Sequence, residues 1–481
     1  MRKTKIICTI GPATSNYEML SKLAHAGMNV IRLNMSHGEH ESCAAIIKAI
    51  RTLNRKLAHP VAVLMDTQGP EIRTGDMSQD LPLRKGDVVS VVARGEADVE
   101  ASSIRINYED LITDVAVGDK ITVDNGLINL EVLSKEARTM QCRVIDGGVL
   151  KSKRHVNLPG IRVNLPAITE KDRRDIQFAI EQDVDFIALS FVRSPDDIRE
   201  LKELLGEKAG KIKIIAKIED QEGVKNLDAI IQESHGVMVA RGDLGVEIPL
   251  EELPIVQRRI ISQCAKHGKR SIVATHMLES MIDNPMPTRA EVTDVANAVY
   301  EEADAIMLSG ETTVGKYPVK CVETLDRIAR SIERTRGLRF SDELVMNNDK
   351  QEIAAAAVKL AESIQAKAIL VPTRRGLMAN LVSNCHPQHS TICAFTNDSR
   401  TRRHLVLNRN VLSYRINFSS DPEKTLGTAA AIMTRRDEFT DNDKVVVISD
   451  ALSTHGVEAI QIRRLGDLAK HAPVVEDEVS G

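Results

Sequence analysis

Short apolar segments of this sequence end repeatedly in charged or hydroxyl side chains that could bind phosphate and metal ions. One of them carries Lys217 and Glu219, which are two positions apart and therefore share one face of an extended strand. A buried lysine needs an anionic partner, because burying an unpaired charge is costly. The neighbouring Glu219 can bind a divalent metal through oxygen. A purely structural ion pair between the two residues is the alternative.

Another apolar segment ends in Arg241-Gly242-Asp243, where the glycine permits close approach of the backbone to a ligand. If a helix begins here, its first N–H groups would point toward a carboxylate or phosphate. Asp243 is a second candidate metal ligand. A short Gly-Asp turn is common in proteins, so this motif gains meaning only beside the others.

Two segments nearer the N-terminus end in groups that suit a phosphate and a weakly bound cation. Arg32, Asn34 and Ser36 alternate along the sequence, so they share one face of a strand end. The next segment ends at Asp66, an oxygen donor, and Arg73 follows with a guanidinium that can bind phosphate through two parallel hydrogen bonds. Ordinary polar turns are the alternative in both places.

A further segment ends in Thr275 and His276. The Thr275 hydroxyl could relay a proton. His276 has the chemistry of a general base, but an isolated histidine is more often structural. The last segment of this kind leads into residues 309–312, which could line the same opening.

These polar ends require a scaffold that brings them together. Apolar, β-branched segments alternate with helical segments, a pattern that predicts a parallel sheet. Eight such units predict a (β/α)8 barrel, in which the carboxyl ends of all strands meet at one face. The predicted strands are residues 6–10, 30–33, 61–65, 186–189, 212–218, 237–240, 271–274 and 305–308.

Two regions depart from this alternation. Between the third and fourth predicted strands the pattern changes to short strands and turns, and Asn125-Gly126 predicts a β-hairpin. A second α/β block follows the barrel. We therefore expect a barrel domain of residues 1–74 and 164–341, a β-rich insertion of residues 75–163, a C-terminal α/β domain of residues 342–470 and a disordered acidic tail of residues 471–481.

Composition narrows the function classes. The 481 residues include 64 Lys and Arg against 68 Asp and Glu, and a net charge of −4 gives no reason to expect nucleic-acid or membrane binding. Aromatic residues make up 2%, with no Trp, so base stacking is not expected. No apolar run has the length of a transmembrane helix. The seven cysteines are scattered without CxxC spacing, which argues against disulfides and structural zinc and favours a cytoplasmic location.

The polar segments lie within longer motifs that resemble the pyruvate kinase family, and the likeness runs through nearly the whole chain. It implies an enzyme that transfers the phosphoryl group of phosphoenolpyruvate to ADP, giving pyruvate and ATP, and that assembles as a homotetramer. It also implies that the insertion is a small β-barrel lid and that the C-terminal domain is regulatory. The matching motifs are residues 5–13, 31–38, 66–74, 216–219, 239–245, 284–298 and 304–312.

The resemblance also implies roles for single residues. Glu219 and Asp243 look like ligands of Mg²⁺ or Mn²⁺, and Lys217 looks like the residue that stabilises the transferred phosphoryl group and the enolate. The amides around Gly242 and Asp243 would bind the substrate carboxylate, and Thr275 looks like part of the proton path.

For the nucleotide and the monovalent cation, the resemblance implies a second group of residues. Arg32 and Arg73 look like phosphate or nucleotide contacts, with His37 beside the same nucleotide. In the family, Glu at position 71 accompanies potassium dependence, so Glu71 predicts activation by K⁺, whereas Gln68 departs from the commoner Lys. The residues that look like a K⁺ site are Asn34, which also neighbours the nucleotide, Ser36, Asp66 and Thr67.

Regulation is expected to differ from that of relatives activated by fructose 1,6-bisphosphate. In Thr373-Arg374-Arg375 the positive charge is kept, but the following hydroxyl residues of the family are replaced by Leu and Met. Residues 453–458 also match the family's glycine-rich effector segment poorly. We expect weak or absent activation by that sugar bisphosphate. A different phosphorylated effector near Thr373, Arg374 and Arg375 and a plain solvated turn both stay open.

Two other functions fit parts of the pattern. A metal-dependent barrel lyase or aldolase acting on a pyruvate enolate would also need Lys, Glu and Asp around a metal. It would have no need of Arg32, Arg73, a potassium site or an inserted lid. A non-catalytic sensor with the same fold is the second alternative, and the intact set of Lys217, Glu219, Asp243 and Thr275 argues against it.

Overall fold

The computed structural model describes residues 1–77, 79–93, 103–161, 163–436, 439–449 and 459–472. The chain opens with alternating strands and helices. Helix α1 begins where the Asn16 side chain accepts a hydrogen bond from the Met19 amide, and it ends at Gly27, whose φ of 120° suits glycine. These elements are β1 (Lys5–Thr9), α1 (Tyr17–Ala26), β2 (Val30–Asn34), α2 (His40–Asn54) and β3 (Ala62–Asp66).

The insertion after β3 is built mainly from β-strands. Strands β7 and β8 form the predicted hairpin: Val123 pairs with Ile128, and Asp124, Asn125 and Gly126 between them all have positive φ. One six-stranded sheet has the order β11-β7-β8-β9-β5-β6, and β10 pairs with β4. The elements are β4 (Leu81–Leu83), β5 (Val88–Ala93), β6 (Ile104–Ile106), α3 (Leu111–Asp114), β7 (Lys120–Val123), β8 (Ile128–Lys135), β9 (Thr139–Asp146), β10 (Gly148–Leu150) and β11 (Val156–Asn157).

The chain then completes the predicted parallel barrel, which closes in the order β1-β16-β15-β14-β13-β12-β3-β2. Two long barrel helices begin at a Thr whose side chain forms a capping box, Thr169 and Thr288. The elements are α4 (Glu170–Glu181), β12 (Phe186–Leu189), α5 (Pro195–Leu205), β13 (Lys213–Ile218), α6 (Gln221–Lys225), α7 (Leu227–Glu233), β14 (Gly236–Ala240), α8 (Arg241–Glu247), α9 (Leu253–Lys266), β15 (Arg270–Ala274), α10 (Arg289–Tyr300), β16 (Ala305–Leu308), α11 (Gly310–Thr313) and α12 (Pro318–Ile332).

A C-terminal α/β domain follows, with a five-stranded sheet in the order β19-β18-β17-β20-β21. Its last strand is antiparallel to β20 and was not predicted, because Gln461, Arg463 and Arg464 break its apolar pattern at the sheet edge. The elements are α13 (Asp349–Ser363), β17 (Ala368–Pro372), α14 (Leu377–Asn384), β18 (Thr391–Thr396), α15 (Ser399–His404), β19 (Val411–Arg415), α16 (Pro422–Arg436), β20 (Lys444–Ile448), β21 (Ile460–Arg464) and α17 (Leu465–Ala469).

The barrel is closed at the amino ends of its strands. Its interior is a buried apolar cluster that includes Ile7, Leu64 and Met307, and Val406 and Leu407 of the C-terminal domain belong to the same cluster. The carboxyl ends of the strands are therefore the face left for a site, which is where such barrels carry their chemistry.

Two predictions fall wholly or partly outside the described residues. The proposed effector segment 453–458 and residues 473–481 of the predicted tail lie there, whereas the backbone amides of His471 and Ala472 still bond to the end of α17. Among the helices that the structure describes, none combines the length and apolar character needed to cross a membrane.

Candidate active site

A polar cavity of about 330 Å³ opens at the carboxyl ends of the barrel strands, between the barrel and the insertion. It brings together side chains that the sequence places more than 200 residues apart. Nine of the predicted site residues line it: Arg32, Asn34, Ser36, His37, Thr67, Arg73, Lys217, Glu219 and Asp243. The remaining three, Asp66, Gly242 and Thr275, lie in the structure that supports this cavity.

Lys217 is the centre of the cavity's charge network. Its Nζ lies 2.9 Å from Glu219 Oε1, 3.1 Å from Asp66 Oδ1 and 2.7 Å from Ser190 Oγ. Burial lowers the pKa of the Lys217 ammonium, but the carboxylates of Asp66 and Glu219 outweigh burial and leave that pKa above its usual value. The ammonium is therefore fixed and charged, with anionic partners from two strands.

The same network sets the charges of the two carboxylates. Burial raises the pKa of Asp66, yet Lys217 and Arg32 hold it below its usual value, since Arg32 Nε lies 2.6 Å from Asp66 Oδ2. For Glu219 burial prevails and the pKa is raised, with a further contribution from the nearby Asp243. Glu219 Oε2 also accepts a hydrogen bond from the Phe191 amide at 2.6 Å. A cation placed between Glu219 and Asp243 would relieve this repulsion.

Asp243 differs from the other two carboxylates in its contacts. It lies in the first turn of α8, and within the described residues its side chain accepts no hydrogen bond and forms no ion pair. Among those residues no group of three or more His, Cys, Asp or Glu is arranged to hold a metal alone. Glu219 and Asp243 thus fit a divalent metal that takes its other ligands from substrate and water, as Mg²⁺ usually does.

The loop after β15 is strained beside this helix. Thr275 has a φ of 74° and His276 a φ of 58°. Positive φ is uncommon outside glycine and rare for a β-branched residue such as Thr275, and such backbone strain clusters at functional sites. A Cβ on Gly242 would lie 2.9 Å from the Thr275 methyl group, so glycine is needed for this close approach. The Arg241 guanidinium holds the loop by donating to the Thr275 carbonyl at 2.6 Å.

The loops after β2 and β3 lie side by side and are held by helix α4. Asn34 and Asp66 are register neighbours in the sheet. Lys171 Nζ donates to the Met35 carbonyl at 2.5 Å, and Asp172 accepts from the Gln68 amide at 3.0 Å. These loops present amide, hydroxyl and carboxylate oxygens to one place, which is the donor type that a hard cation requires.

Arg73 crosses from barrel to insertion at the edge of the cavity. Its Nε lies 2.6 Å from Glu71 Oε2, and its Nη1 donates to the Lys153 carbonyl at 2.9 Å. Gln68 donates to the same Glu71 oxygen at 2.9 Å. Burial raises the pKa of Glu71, but Arg73 and Gln68 outweigh it, so the pKa is lowered and the carboxylate stays charged.

Sequence reasoning missed several residues that line the cavity or bond to its side chains. Ser190 bonds to Lys217, and the Phe191 amide bonds to Glu219. Both follow the wholly apolar strand β12, so the polar Ser190 directly after a buried strand could have indicated a site residue. From the insertion, Lys153, Arg154 and His155 line the cavity, and the lysine and the arginine add positive charge. Their basic cluster stands in a segment that was interpreted only as part of a β-rich insertion.

Other residues singled out in the sequence lie away from the chemistry. His276 is exposed, and its Nε2 lies 3.2 Å from Glu279 Oε2 at the surface. Glu311 is buried and accepts hydrogen bonds from the Leu278 and Ser309 amides, so it links two loops rather than lining the cavity.

Comparisons with known proteins agree with this geometry. Residues 1–322 match the family model described as pyruvate kinase, barrel domain, and residues 351–459 match pyruvate kinase, alpha/beta domain. The chain is 47% identical to a pyruvate kinase of Bacillus licheniformis, over 84% of this chain and 70% of that protein. It is 42% identical to a pyruvate kinase of Staphylococcus aureus (strain MRSA252), over 97% and 81%. Plastidial pyruvate kinase 2 of Arabidopsis thaliana is 41% identical, over 96% and 81%. The chain therefore belongs to the pyruvate kinase family.

Proposed function

We propose that this chain transfers the phosphoryl group of phosphoenolpyruvate to ADP, producing pyruvate and ATP. The observation that carries the proposal is the convergence of Lys217, Glu219 and Asp243 on one cavity that also contains Arg32 and Arg73. A lyase or aldolase would use the first three but would leave both guanidinium groups without a task. The relatives, which are named pyruvate kinase, favour the same assignment.

The chemistry follows from the charges. Phosphoryl transfer needs positioning and charge neutralisation more than covalent help from the protein. The Lys217 ammonium stabilises negative charge on the transferring phosphoryl group and on the enolate oxygen. The Gly242 and Asp243 amides at the start of α8 donate to the substrate carboxylate. Thr275 lies on the path that delivers a proton to the enolate carbon, and Arg32 and Arg73, with Asn34 and His37, position the phosphates of ADP.

Two cations belong to the proposal. Glu219 and Asp243 would hold Mg²⁺ or Mn²⁺, and bound there the ion would supply charge neutralisation for the enolate and phosphoryl oxygens. K⁺ would be held by oxygens of a second set, Asn34, Ser36, Asp66 and Thr67. The carboxylate oxygens of Glu219 and Asp66 already accept hydrogen bonds from Lys217, Arg32, Ser190 and the Phe191 amide. A bound cation would therefore share these oxygens with those donors.

Organisation and regulation complete the proposal. We propose that residues 1–74 and 164–341 form the catalytic domain, residues 75–163 a lid, residues 342–470 a regulatory domain and residues 471–481 a disordered tail, in a cytoplasmic homotetramer. A phosphorylated effector would contact Arg374 and Arg375, which are exposed, while Thr373 is buried and accepts a hydrogen bond from the Gly376 amide at 3.0 Å. A panel of phosphorylated sugars that leaves the rate unchanged would favour the solvated turn.

The test is an assay of pyruvate release from phosphoenolpyruvate with ADP, Mg²⁺ and K⁺. We expect rapid release that requires ADP and that falls when K⁺ is replaced by tetramethylammonium, because that ion is too bulky and too weakly bound by oxygen. Cleavage of a pyruvate-derived substrate without ADP would support the lyase. Binding of phosphoenolpyruvate without turnover would support a sensor. An unchanged rate in tetramethylammonium would refute only the K⁺ site.

A further inference from the structure

The chain enters and leaves the insertion at neighbouring positions. On the way out, β11 pairs with β7 of the insertion, and the Val156 amide donates to the carbonyl of Ile72 on the way in, at 2.8 Å. An isolated bridge joins Arg73 to His155 just beside this bond. Any rotation of the insertion on the barrel must therefore pivot close to these two crossing segments.

One side chain links this pivot to helix α8, which contains Gly242 and Asp243. Asn157 is 4% exposed, and its Nδ2 donates to Glu247 Oε1 at 2.8 Å. Glu247 is the last residue of α8, the helix whose first turn contains Gly242 and Asp243. Because α8 has only two turns, a displacement of Glu247 is transmitted to its first turn.

The hydrogen bond between Asn157 and Glu247 lies beside a cavity. A cavity of about 660 Å³ separates the insertion from the barrel here, and Asn157, Glu247, Leu158, Ile72 and Arg193 are among the residues that line it. On the other side of the cavity, Arg193 donates to the Val163 carbonyl at 2.7 Å and clamps the same outgoing segment. The insertion is thus attached at its edges, with room between them for movement.

The Asn157 amide is also incompletely bonded. Its Oδ1 is buried and has no hydrogen-bond partner among the described residues. A buried amide oxygen without a donor is unfavourable, so this oxygen is free to accept a hydrogen bond when the insertion moves.

We propose that Asn157 and Glu247 are positioning residues, whose hydrogen bond couples the angle of the insertion to the orientation of α8. Closure of the insertion then places the Gly242 amide and Asp243 for the substrate carboxylate and the metal. This inference rests on the proposed function of α8.

The charges around Glu247 support the coupling. Burial raises its pKa to about 7, the bond from Asn157 opposes this, and Asp220 and Asp243 add to it. Other charged groups lining the cavity are Arg193, Glu222 and Lys225, with His155 on the insertion side. An ionised Glu247 accepts from Asn157 Nδ2, whereas a protonated one could instead donate to Asn157 Oδ1.

The experiment is a double-mutant cycle in the full-length enzyme with Asn157→Ala, Glu247→Ala and the pair. Each single variant should raise the KM for phosphoenolpyruvate about three- to tenfold, the span set by one hydrogen bond, and the pair should raise it no further. Glu247→Gln keeps an acceptor for Asn157, so its KM for phosphoenolpyruvate should stay near the wild-type value. This KM should no longer change with pH near pH 7, because the glutamine does not titrate. Thermal unfolding of each variant checks that all are folded.

Movement is measured as the distance between spin labels on the exposed positions Val117→Cys in the insertion and Lys48→Cys on α2. Phosphoenolpyruvate with Mg²⁺ should shorten this distance in wild type and in Glu247→Gln, and less in Glu247→Ala. Single-variant effects that multiply in the pair, or a Glu247→Gln variant as impaired as Glu247→Ala, would overturn the proposal. If the wild type itself releases no pyruvate, the proposed function fails instead.

Discussion

The two ends of the barrel both contain buried charges, but they use them differently. At the amino ends of the strands, Arg270 lies 2.9 Å from Asp304 and also donates to Ser383 of the C-terminal domain. Asp304 accepts further hydrogen bonds from the Ser271 and Arg409 amides. Each of these groups has several protein partners, so the network has no capacity left for a ligand.

At the carboxyl ends the charges are incompletely matched. Asp243 is without a partner in the described structure, and Thr275 and His276 keep a strained backbone. A ligand can complete this end but not the other. The difference teaches that charge burial by itself does not mark a site, whereas a half-buried carboxylate left unmatched beside buried charges, as Asp243 is among the described residues, does.

The strongest test of the comparison is Lys217→Met. We expect kcat to fall about 1,000-fold, because the positive charge at the phosphoryl group is lost. Lys202→Met is the matched control, since Lys202 pairs with Glu233 far from the cavity, and its kcat should stay near wild type. The measurement is steady-state pyruvate release by folded protein. A loss below tenfold for Lys217→Met would remove the central role of this residue.

At the amino ends of the strands, Arg270→Met should lower stability and leave activity nearly unchanged. Asp304 would be left buried without its cation, which should lower the free energy of unfolding by about 3 kcal/mol. Urea unfolding measures this change. The kcat of the folded fraction should stay within about twofold. Arg330→Met, which breaks an exposed pair with Asp326, should cost less than about 1 kcal/mol. If Arg270→Met impaired kcat strongly and stability little, the two ends would not differ as described.

Asp243→Asn should separate activity from stability within the active site. We expect kcat to fall about 100-fold, since an amide binds a divalent cation more weakly and the metal stabilises charge in the reaction. Stability should be unchanged or higher by about 1 kcal/mol, because the variant loses a carboxylate that has no partner among the described residues and that repels Glu219. A clear loss of stability in urea would mean that Asp243 supports the fold after all.

The smallest expected effect concerns Lys5, at the amino end of β1, whose Nζ donates to the Val411 carbonyl at 2.7 Å. Burial lowers its pKa to about 7, from the usual 10.5. The unfolded chain therefore binds more protons between these values, and wild-type stability rises with pH from 7 toward 10. Relative to Lys5→Met, wild type should gain about 2 kcal/mol between pH 7 and pH 9.

Urea unfolding at several pH values measures this gain. Lys48 is exposed, so Lys48→Met is the control, and the stability difference between this variant and wild type should not change with pH. A Lys5→Met difference that is flat with pH would mean that the Lys5 amine is charged in the folded protein, paired with a nearby carboxylate.

Much of the fold followed from local pattern. The barrel strands were predicted to within about one residue, because short apolar runs followed by polar residues are typical of buried parallel strands. Strand β21 was missed because its side chains are largely polar at a sheet edge. The polar strand ends, together with the family resemblance that added His37 and Thr67, predicted nine residues that line one cavity. Ser190 and the insertion residues Lys153, Arg154 and His155 were missed, since their approach to the cavity depends on how separate elements pack.

The sequence by itself determined which side chains follow the strands, and barrel geometry obliges those ends to meet. Only the tertiary structure decided which charges pair and which stay unmatched. Lys217 pairs with Asp66 from another strand, while the Asp243 side chain has no hydrogen bond or ion pair within the described residues. The physical reason is that strand alternation is a local property of the backbone. A charge pair depends on distances of 3 Å between segments remote in sequence, which only the packed chain fixes.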